Sequence, residues 1–396
     1  MEVNRIAVIG AGTMGSDVSF LFALSGFDVV IMDISERVLR ALKGKYMKNM
    51  EILQQTSAAK EDFESVWRRV SLTTSLKDVK DVDFVFEAVS ENLDLKKMLF
   101  RSLDDLLPKR VVLATNTSSL TITEIAEGIR GASRIGGMHF SNPPILMPLV
   151  EVIKGRDTSE EALNVIVQVT KRLGKTPVVI RKDMRGFVLN RILYAAGAEA
   201  LWALWRGEAT PMDIDSSVKA MGYPMGFFEA IDVIGLDVLL AVFRNLHEAY
   251  GERFLIPIRL LEEMIEKGKL GKKVGEGFYD WSKGAPQIEA KPSEAYNVMR
   301  MVATATNEAF WIIKDGVADP ETIDEIVKLG MLSPVGVCEL ADTVGLDNLA
   351  SLLNEMCDKY RLELYKLCPL FEEYLKNGWT GRSAGRGFYV YQEGAI

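Results

Sequence analysis

The sequence predicts a doubly wound α/β domain with a mostly parallel sheet, followed by two repeated all-α domains. Three observations support this prediction: a glycine-rich turn between a strand-like and a helix-like run near the N-terminus, an alternation of short apolar runs with helical patterns up to about residue 182, and a helical second half that repeats itself. We therefore place three domains at residues 1–184, 185–287 and 288–396.

The composition is that of an ordinary soluble protein. Hydrophobic residues make up 48% and charged residues 26% of the 396 residues. No apolar run reaches the roughly 18 residues of a membrane span, and the N-terminus lacks a secretory pattern, so we expect a cytoplasmic protein without membrane contact. The net charge of −8 argues against nucleic acid as a partner. The three cysteines, Cys338, Cys357 and Cys368, lack metal-binding spacing, so we expect no metal.

The first half of the chain contains strand-like runs separated by helical patterns. The predicted strands are Arg5–Ile9, Asp28–Met32, Asp83–Val89, Val111–Thr115, Arg134–Met138, Leu149–Ile153 and Thr176–Ile180. The helical patterns between them include Glu36–Gln55, Leu93–Leu107 and Ser159–Leu173. This alternation is typical of a parallel sheet covered by helices.

The helical second half contains two copies of one pattern, offset by 109 or 110 residues. The matched segments are DVIGLD (232–237) with DTVGLD (342–347), GFY (277–279) with GFY (387–389), and Glu199-Ala200 with Glu308-Ala309. Several landmarks in register indicate a duplicated helical unit. A polar linker with Pro286 and Pro292 separates the two copies.

A glycine-rich turn, Gly10-Ala-Gly12-Thr13-Met14-Gly15, follows the strand-like run RIAVI and opens a helical run. Such glycines allow a tight turn and close approach of the backbone to a pyrophosphate, which the helix N-terminus also favours. The second strand leads into Asp33, where a carboxylate accepts hydrogen bonds from ribose hydroxyls and repels a 2′-phosphate. The pattern predicts a Rossmann domain that binds NAD rather than NADP. The alternative is a glycine-rich turn without a cofactor.

Polar and ionisable residues accompany the later strands. Val111–Thr115 leads into Asn116-Thr117-Ser118-Ser119, the next strand ends at His139, and the one after carries Glu151. Ligands bind beyond the carboxyl ends of strands in a doubly wound sheet, so we expect the imidazole and the carboxylate to meet near the cofactor. The alternative for Glu151 is a solvent-facing strand residue.

Five motifs, in this order, resemble those of the L-3-hydroxyacyl-CoA dehydrogenase family: NTSSL, HFSNPP, LVEV, GFVLNR and GKKVGEGFY. The resemblance extends to about residue 285, and the second helical copy is similar to the tandem form of that domain in fatty-acid-oxidation multienzyme proteins. It implies NAD-dependent interconversion of (S)-3-hydroxyacyl-CoA and 3-ketoacyl-CoA. Since the dehydrogenase parts use up the 396 residues, we expect no hydratase activity.

The resemblance implies four residues for catalysis. His139 is implied as the general base, a task that suits imidazole because the ordinary pKa of that group, about 6.5, lies near neutral pH. Glu151 is implied to fix the ring tautomer and to stabilise the imidazolium. Ser118 and Asn190 are implied to hydrogen-bond the substrate oxygens. The alternative for Asn190 is a helix cap.

The resemblance also implies which residues touch NAD or the thioester carrier. They are Glu91, Lys96, Asn116, Asn142 and Lys273, in addition to the glycine-rich turn and Asp33. Lys96 is implied for the substrate as well. Lys273 lies in the helical region, so we expect it to reach the site from there, as in enzymes that close by domain movement.

The helix after the second strand departs from the family pattern. The family places a serine and a lysine there for the adenosine part of CoA, whereas this chain has Asn49 and Thr56. Lys48, with Lys43 and Lys45 nearby, is the candidate source of positive charge. The alternative for these lysines is that they are solvent-exposed helix residues that bind no ligand.

The second helical copy departs further, because the position of Lys273 falls on Ser383. We therefore expect that copy not to catalyse. It is expected either to replace a dimer partner, giving a monomer with an internal pseudo-dimer, or to leave a homodimer intact.

Two other functions stay open at this point. One is oxidation of a free hydroxy acid, as by a gulonate dehydrogenase, which needs Asp33 and His139 but no CoA pocket. The other is a non-catalytic NAD-binding structural protein, like some lens proteins. The set of Ser118, His139, Glu151 and Asn190 argues against the second, because a structural protein does not require it.

Overall fold

The structure, a computed structural model, describes residues 2–55 and 61–392. Thr56, where the sequence departs from the family pattern for CoA, lies outside the described residues. The chain forms two compact units, Met1–Met184 and Arg185–Ile396. The fold class predicted from the sequence, a doubly wound α/β domain followed by helices, is confirmed.

The first unit is built around an eight-stranded sheet. Its strands are β1 (Arg5–Ile9), β2 (Asp28–Met32), β3 (Val70–Thr73), β4 (Phe84–Glu87), β5 (Val112–Thr115), β6 (Ile135–Phe140), β7 (Leu149–Ile153) and β8 (Thr176–Ile180). They lie in the order β3-β2-β1-β4-β5-β6-β7-β8, and all neighbours are parallel except β6 and β7. The order changes direction between β1 and β4, which is where a doubly wound sheet binds its ligand.

Helices cover the sheet and begin at clear sequence signals. They are α1 (Thr13–Leu24), α2 (Glu36–Gln55), α3 (Phe63–Trp67), α4 (Leu93–Leu106), α5 (Ile122–Ala126) and α6 (Glu160–Arg172). The side chains of Asn92 and Ser159 cap α4 and α6 by accepting backbone N–H hydrogen bonds. By contrast, α1 begins at Gly12 without a side-chain cap, an arrangement that suits the binding of an anion by the first-turn N–H groups.

The central strands carry the core of the first unit. β4 and β5 are buried along their whole length, as expected for parallel strands with both faces covered. Glu87, the last residue of β4, is fully buried as well, and it is the one charged residue in these two strands.

The sheet corrects two expectations. β3 is missing from the predicted strands because VSLT is a short, half-exposed edge strand with little apolar character. β7 runs antiparallel to β6, so His139 and Glu151 meet as expected, but through direct pairing of their strands and not at the carboxyl ends of two parallel strands. β6 also extends two residues beyond the predicted end, and His139 lies inside it, directly paired with Glu151 of β7.

The second unit consists of two successive sets of helices. The first set is α7 (Leu189–Trp205), α8 (Pro211–Ala220), α9 (Phe227–Ile234), α10 (Leu236–Tyr250) and α11 (Ile258–Glu266), and the second is α12 (Met299–Lys314), α13 (Pro320–Met331), α14 (Val337–Val344), α15 (Leu346–Tyr360) and α16 (Pro369–Lys376). Each helix of one set has a counterpart in the other. The division at residue 287 stays a prediction. None of the described helices combines the length and apolar character needed to cross a bilayer.

A buried aspartate ties the end of each helical set to its third helix. Asp232 in α9 accepts hydrogen bonds from the backbone N–H groups of Phe278 and Tyr279 at 2.8 and 2.9 Å. Asp342 in α14 accepts the equivalent pair from the second GFY segment at 2.9 and 3.0 Å. The repeated GFY motif thus marks the same structural tie twice.

Two ion pairs between α7 and α12 are reciprocal. Arg191 of α7 pairs with Glu308 of α12, with Nη2 and Oε1 2.6 Å apart, and Arg300 of α12 pairs with Glu199 of α7 at 2.5 Å. Both residues of one pair are the repeat counterparts of the residues in the other, at an offset of 109. A two-fold relation between the copies produces this pattern, because residue i then contacts residue j in both directions.

The buried carboxylate of Asp215, in α8, binds the first turn of α9. It accepts hydrogen bonds from the backbone N–H groups of Phe228 and Glu229, at 2.9 and 2.8 Å, and from the Tyr279 hydroxyl at 2.9 Å. Burial raises the pKa of Asp215 to about 6, and these hydrogen bonds oppose the increase only in part.

The raised pKa predicts a pH-dependent contribution to stability. Because the folded pKa of about 6 exceeds the ordinary 3.8, the folded state binds the proton more tightly, and this contribution is lost as the pH rises through 6. From pH 7 to pH 5 the wild type should gain about 1.4 kcal/mol relative to Asp215→Asn. Urea unfolding of both proteins at the two pH values measures the difference. A difference independent of pH would contradict the prediction.

Candidate active site

The glycine-rich turn has the geometry that a dinucleotide site requires. Gly10 has φ of +94°, and a Cβ there would lie 2.6 Å from the Ala88 carbonyl oxygen. A Cβ on Gly15 would lie 1.9 Å from the Gly10 oxygen, so α1 packs against the turn only without a side chain. Beside Gly12, in contrast, a Cβ would meet no atom within 4 Å, which leaves open space at the start of α1. A diphosphate fits this cradle.

Asp33 follows β2 and lies beside this turn. Its Oδ2 accepts a hydrogen bond from the Ala11 N–H at 2.8 Å, and its Oδ1 accepts one from the Ser35 N–H at 2.9 Å. The carboxylate therefore has a fixed position next to the cradle. Thr13 and Met14, the first residues of α1, are exposed and half-buried. These residues fit the diphosphate and one ribose of NAD.

His139 and Glu151 form a buried pair. The two residues face each other across β6 and β7, and His139 Nδ1 lies 2.8 Å from Glu151 Oε2. His139 is 6% exposed and Glu151 is fully buried. A carboxylate at this distance favours the tautomer with the proton on Nδ1, which presents Nε2 as the basic atom.

Asn116 connects the end of β5 to the strand that carries His139. Its side-chain Oδ1 accepts a hydrogen bond from the Phe140 N–H at 3.0 Å, and its own N–H donates to the Glu87 carbonyl at 2.9 Å. Asn142 follows β6, is exposed, and precedes Pro143 through a cis peptide bond. The Asn116 side chain is therefore bound to the backbone of Phe140, the residue that follows His139.

Glu91 holds the turn that contains Ser118. Its Oε1 accepts hydrogen bonds from the backbone N–H groups of Ser118 and Ser119 at 3.0 and 2.9 Å, and from the hydroxyls of Thr117 and Ser119 at 2.6 and 2.9 Å. Burial acts to raise the pKa of Glu91, but the Lys96 charge and these hydrogen bonds outweigh it and lower the pKa. Glu91 is therefore a carboxylate at neutral pH.

Lys96 lies below this turn. Its side chain is 1% exposed, and its Nζ lies 2.7 Å from Glu87 Oε1 and 3.4 Å from Glu91 Oε2. Contact of Lys96 with cofactor or substrate stays a prediction. Glu87 and its partner Thr115 were not predicted as site residues, although an acidic residue at the end of the apolar run FVFE was a usable signal.

The lysines considered for CoA lie on α2. Lys48 is exposed, whereas Lys45 Nζ lies 3.3 Å from the Ser16 hydroxyl oxygen. Asn49 is buried and donates from Nδ2 to Asp17 at 3.0 Å. The departure from the family pattern at Asn49 is therefore accommodated by a contact to α1. Binding of CoA by Lys48 stays a prediction.

Asn190 and Lys273 belong to the second unit. Asn190 is half-buried in the first turn of α7, three residues after Phe187, which has positive φ like Gly186 before it. Lys273 is exposed and pairs with Asp237, with Nζ 2.5 and 2.6 Å from the two carboxylate oxygens. Their assigned roles stay predictions. Among the residues that the structure describes, no three His, Cys, Asp or Glu side chains are grouped to hold a metal ion.

Family comparisons match almost the whole chain. The model described as "3-hydroxyacyl-CoA dehydrogenase, NAD binding domain" matches residues 5–184. The model described as "3-hydroxyacyl-CoA dehydrogenase, C-terminal domain" matches twice, at residues 186–281 and 296–391. The second match falls on the second helical set.

Individual relatives agree with the family match. A probable 3-hydroxybutyryl-CoA dehydrogenase of Deinococcus radiodurans is 40% identical over 278 residues, covering 70% of this chain and 100% of the relative. The crystal structure of 3-hydroxybutyryl-CoA dehydrogenase from Escherichia coli K12 has a TM-score of 0.85 at 27% identity, covering 96% of this chain and 100% of that one. The (S)-3-hydroxybutyryl-CoA dehydrogenase of Ralstonia eutropha has a TM-score of 0.65 at 36% identity, covering 71% and 100%.

Proposed function

The chain belongs to the 3-hydroxyacyl-CoA dehydrogenase family of NAD-dependent oxidoreductases, and from this premise we propose which of its residues perform the reaction. The observation that carries the proposal is the buried contact between His139 and Glu151, with 2.8 Å between Nδ1 and Oε2. The reaction is the oxidation of (S)-3-hydroxyacyl-CoA to 3-ketoacyl-CoA and its reverse.

His139 is the proton-transfer residue of this proposal. Bound NAD supplies the hydride acceptor for C3 of the substrate. His139 Nε2 takes the proton of the 3-hydroxyl, so that hydride and proton leave together and the ketone forms. Glu151 keeps the ring oriented through Nδ1 and stabilises the imidazolium while the proton resides on it. In the reductive direction His139 returns the proton to the alkoxide oxygen.

The remaining polar residues bind and orient. Ser118, on the turn held by Glu91, hydrogen-bonds the substrate oxygen, and orientation of the reacting carbon is its main contribution. The turn from Gly10 to Gly15, with Gly12, Thr13 and Met14, holds the diphosphate, and Asp33 holds the adenosine ribose. Further proposed contacts to NAD or the CoA thioester come from Glu91, Lys96, Asn116, Asn142 and Lys48. Asn190 and Lys273 are proposed on the sequence resemblance alone.

The reciprocal ion pairs support a proposal on assembly. Isologous contacts are the mark of a two-fold dimer interface, and here one chain supplies both sides through Arg191–Glu308 and Arg300–Glu199. We propose an internal pseudo-dimer in a monomeric enzyme, with a homodimer as the alternative. A cytoplasmic location is proposed on the three free thiols, Cys338, Cys357 and Cys368, which suit a reducing compartment.

The choice between a thioester and a free acid is tested by turnover. With NAD in excess, 3-hydroxybutyryl-CoA should be oxidised with a kcat/KM at least about 100-fold above that of free 3-hydroxybutyrate, because the carrier supplies binding energy that orients the reacting carbon. Formation of NADH is the measurement. Equal or faster oxidation of the free acid would make the chain a free hydroxy-acid dehydrogenase. Binding of NAD without turnover of either substrate would indicate a non-catalytic protein.

A further inference from the structure

Two charged side chains are completely enclosed beneath the turn that carries Ser118. Glu87 is 0% exposed and Lys96 is 1% exposed. An unpaired charge at such depth is strongly unfavourable, so each of the two depends on the other. Glu87 lies at the end of β4, toward the ligand-binding edge of the sheet. Besides neutralising Lys96, it is therefore placed to affect the loops at that edge.

The first connection from Glu87 to the turn passes through Thr115. Glu87 Oε2 accepts a hydrogen bond from the Thr115 hydroxyl at 2.6 Å. The same hydroxyl oxygen accepts one from the Thr117 N–H at 3.2 Å. This connection fixes the first residue of the turn to the end of β5.

The second connection passes through Lys96 and Glu91. Glu87 Oε1 accepts a hydrogen bond from Lys96 Nζ at 2.7 Å, and the same ammonium lies 3.4 Å from Glu91 Oε2. The other oxygen of Glu91 holds the backbone N–H groups of Ser118 and Ser119. Glu87 Oε1 also accepts a hydrogen bond from the Val89 N–H at 2.7 Å. The two connections through Thr115 and Lys96 both end on the turn of residues 117–119.

The distances from Lys96 Nζ to the two carboxylates show which of them is its main partner. The ammonium is closer to Glu87, at 2.7 Å, than to Glu91, at 3.4 Å. Without the Glu87 charge, the Glu91 carboxylate is the one remaining ion-pair partner of the ammonium among the residues that the structure describes. Attraction between these two then draws the carboxylate away from the N–H groups it holds.

We propose that Glu87 is a positioning residue for substrate binding: its buried charge retains Lys96 and thereby leaves Glu91 to hold the Ser118 turn. The proposal rests on the proposed function in so far as Ser118 touches substrate. Glu87 itself touches neither reactant, so its effect on turnover passes through the turn.

The test combines hydrogen exchange with turnover in Glu87→Gln. Amides of the segment 117–119 should exchange about tenfold faster than in the wild type, because their acceptor is withdrawn. The kcat for acetoacetyl-CoA reduction should fall by about 10- to 100-fold through loss of orientation. Hydrogen exchange reports how firmly Glu91 holds the backbone of residues 117–119, and this measurement does not depend on turnover. If the wild type fails to reduce the thioester, the proposed function is wrong. The effect of Glu87 on the 117–119 turn can still be tested by hydrogen exchange.

Two further variants separate positioning from a general loss of stability. In the double variant Glu87→Gln/Lys96→Met no ammonium competes for Glu91, so protection of the 117–119 amides should return to within about threefold of the wild type. Leu103→Ala, a buried truncation in the same helix α4, should destabilise the protein without selective exchange at the turn. Wild-type exchange at the turn in Glu87→Gln, or no recovery in the double variant, would overturn the proposal. If Glu87→Gln does not fold, Glu87→Asp replaces it: the shorter carboxylate holds Lys96 less firmly, so the 117–119 amides should exchange faster than in the wild type, and wild-type exchange would overturn the proposal.

Discussion

Replacing His139 by alanine should lower kcat for 3-hydroxyacyl-CoA oxidation by about 10²- to 10⁴-fold, the range that a positioned proton-transfer group contributes. NAD binding should stay within about twofold of the wild type, because the glycine-rich turn and Asp33 hold the nucleotide without the imidazole. Steady-state NADH formation measures the first quantity, and titration calorimetry with NAD measures the second.

The chain offers a matched control for this variant. It contains two histidines, and the other, His247 in α10, has a side chain that is 43% exposed. His247→Ala should leave kcat unchanged within about twofold, since this partly exposed side chain has none of the proposed roles in binding or catalysis. A His139→Ala protein that binds NAD and turns over at the wild-type rate would remove His139 from the mechanism.

Replacing Glu308 by alanine should destabilise the second unit by about 3–5 kcal/mol. Arg191 is fully buried, and its guanidinium lies 2.6 Å from Glu308 Oε1. Arg253 Nη1 lies 3.6 Å from the other oxygen. Removing the carboxylate leaves a buried guanidinium whose nearest remaining carboxylate is Asp315, at 3.6 Å. Guanidinium chloride unfolding followed by the helical signal measures the change.

Two controls show whether burial causes this effect. Glu363→Ala removes a carboxylate that is 52% exposed and pairs with Lys366 at 3.4 Å, and it should cost less than about 1 kcal/mol. Arg191→Met/Glu308→Leu removes both charges of the buried pair, so most of the stability should return. Equal losses in Glu308→Ala and Glu363→Ala would show that the reciprocal pairs do not stabilise the contact between α7 and α12.

Local patterns allowed much of the fold to be predicted. The glycine-rich turn, Asp33 and the helical patterns Leu93–Leu107 and Ser159–Leu173 each depend on residues close together in the sequence. The duplication was legible because both copies keep the GFY segment and the aspartate that it binds, Asp232 in the first copy.

Features that depend on strand pairing were not legible. The meeting of His139 and Glu151 was expected, but not its origin: the contact comes from the antiparallel register of β6 and β7, whereas the alternating pattern of the sequence predicts parallel neighbours. β3 is too polar and too short to register as a strand. The role of Glu87 depends on Lys96, Thr115 and Glu91, which three different segments bring together. Single-sequence patterns carry no information on such contacts.

We infer that this chain transfers a hydride between NAD and C3 of an acyl thioester beside His139. A single turnover of acetoacetyl-CoA with NADH that carries deuterium at both C4 positions, followed by mass spectrometry of the product, tests this transfer directly. We expect (S)-3-hydroxybutyryl-CoA with one deuterium at C3, formed by the wild type and far more slowly by His139→Ala. Product without deuterium at C3, or no product from enzyme that binds both reactants, would contradict it.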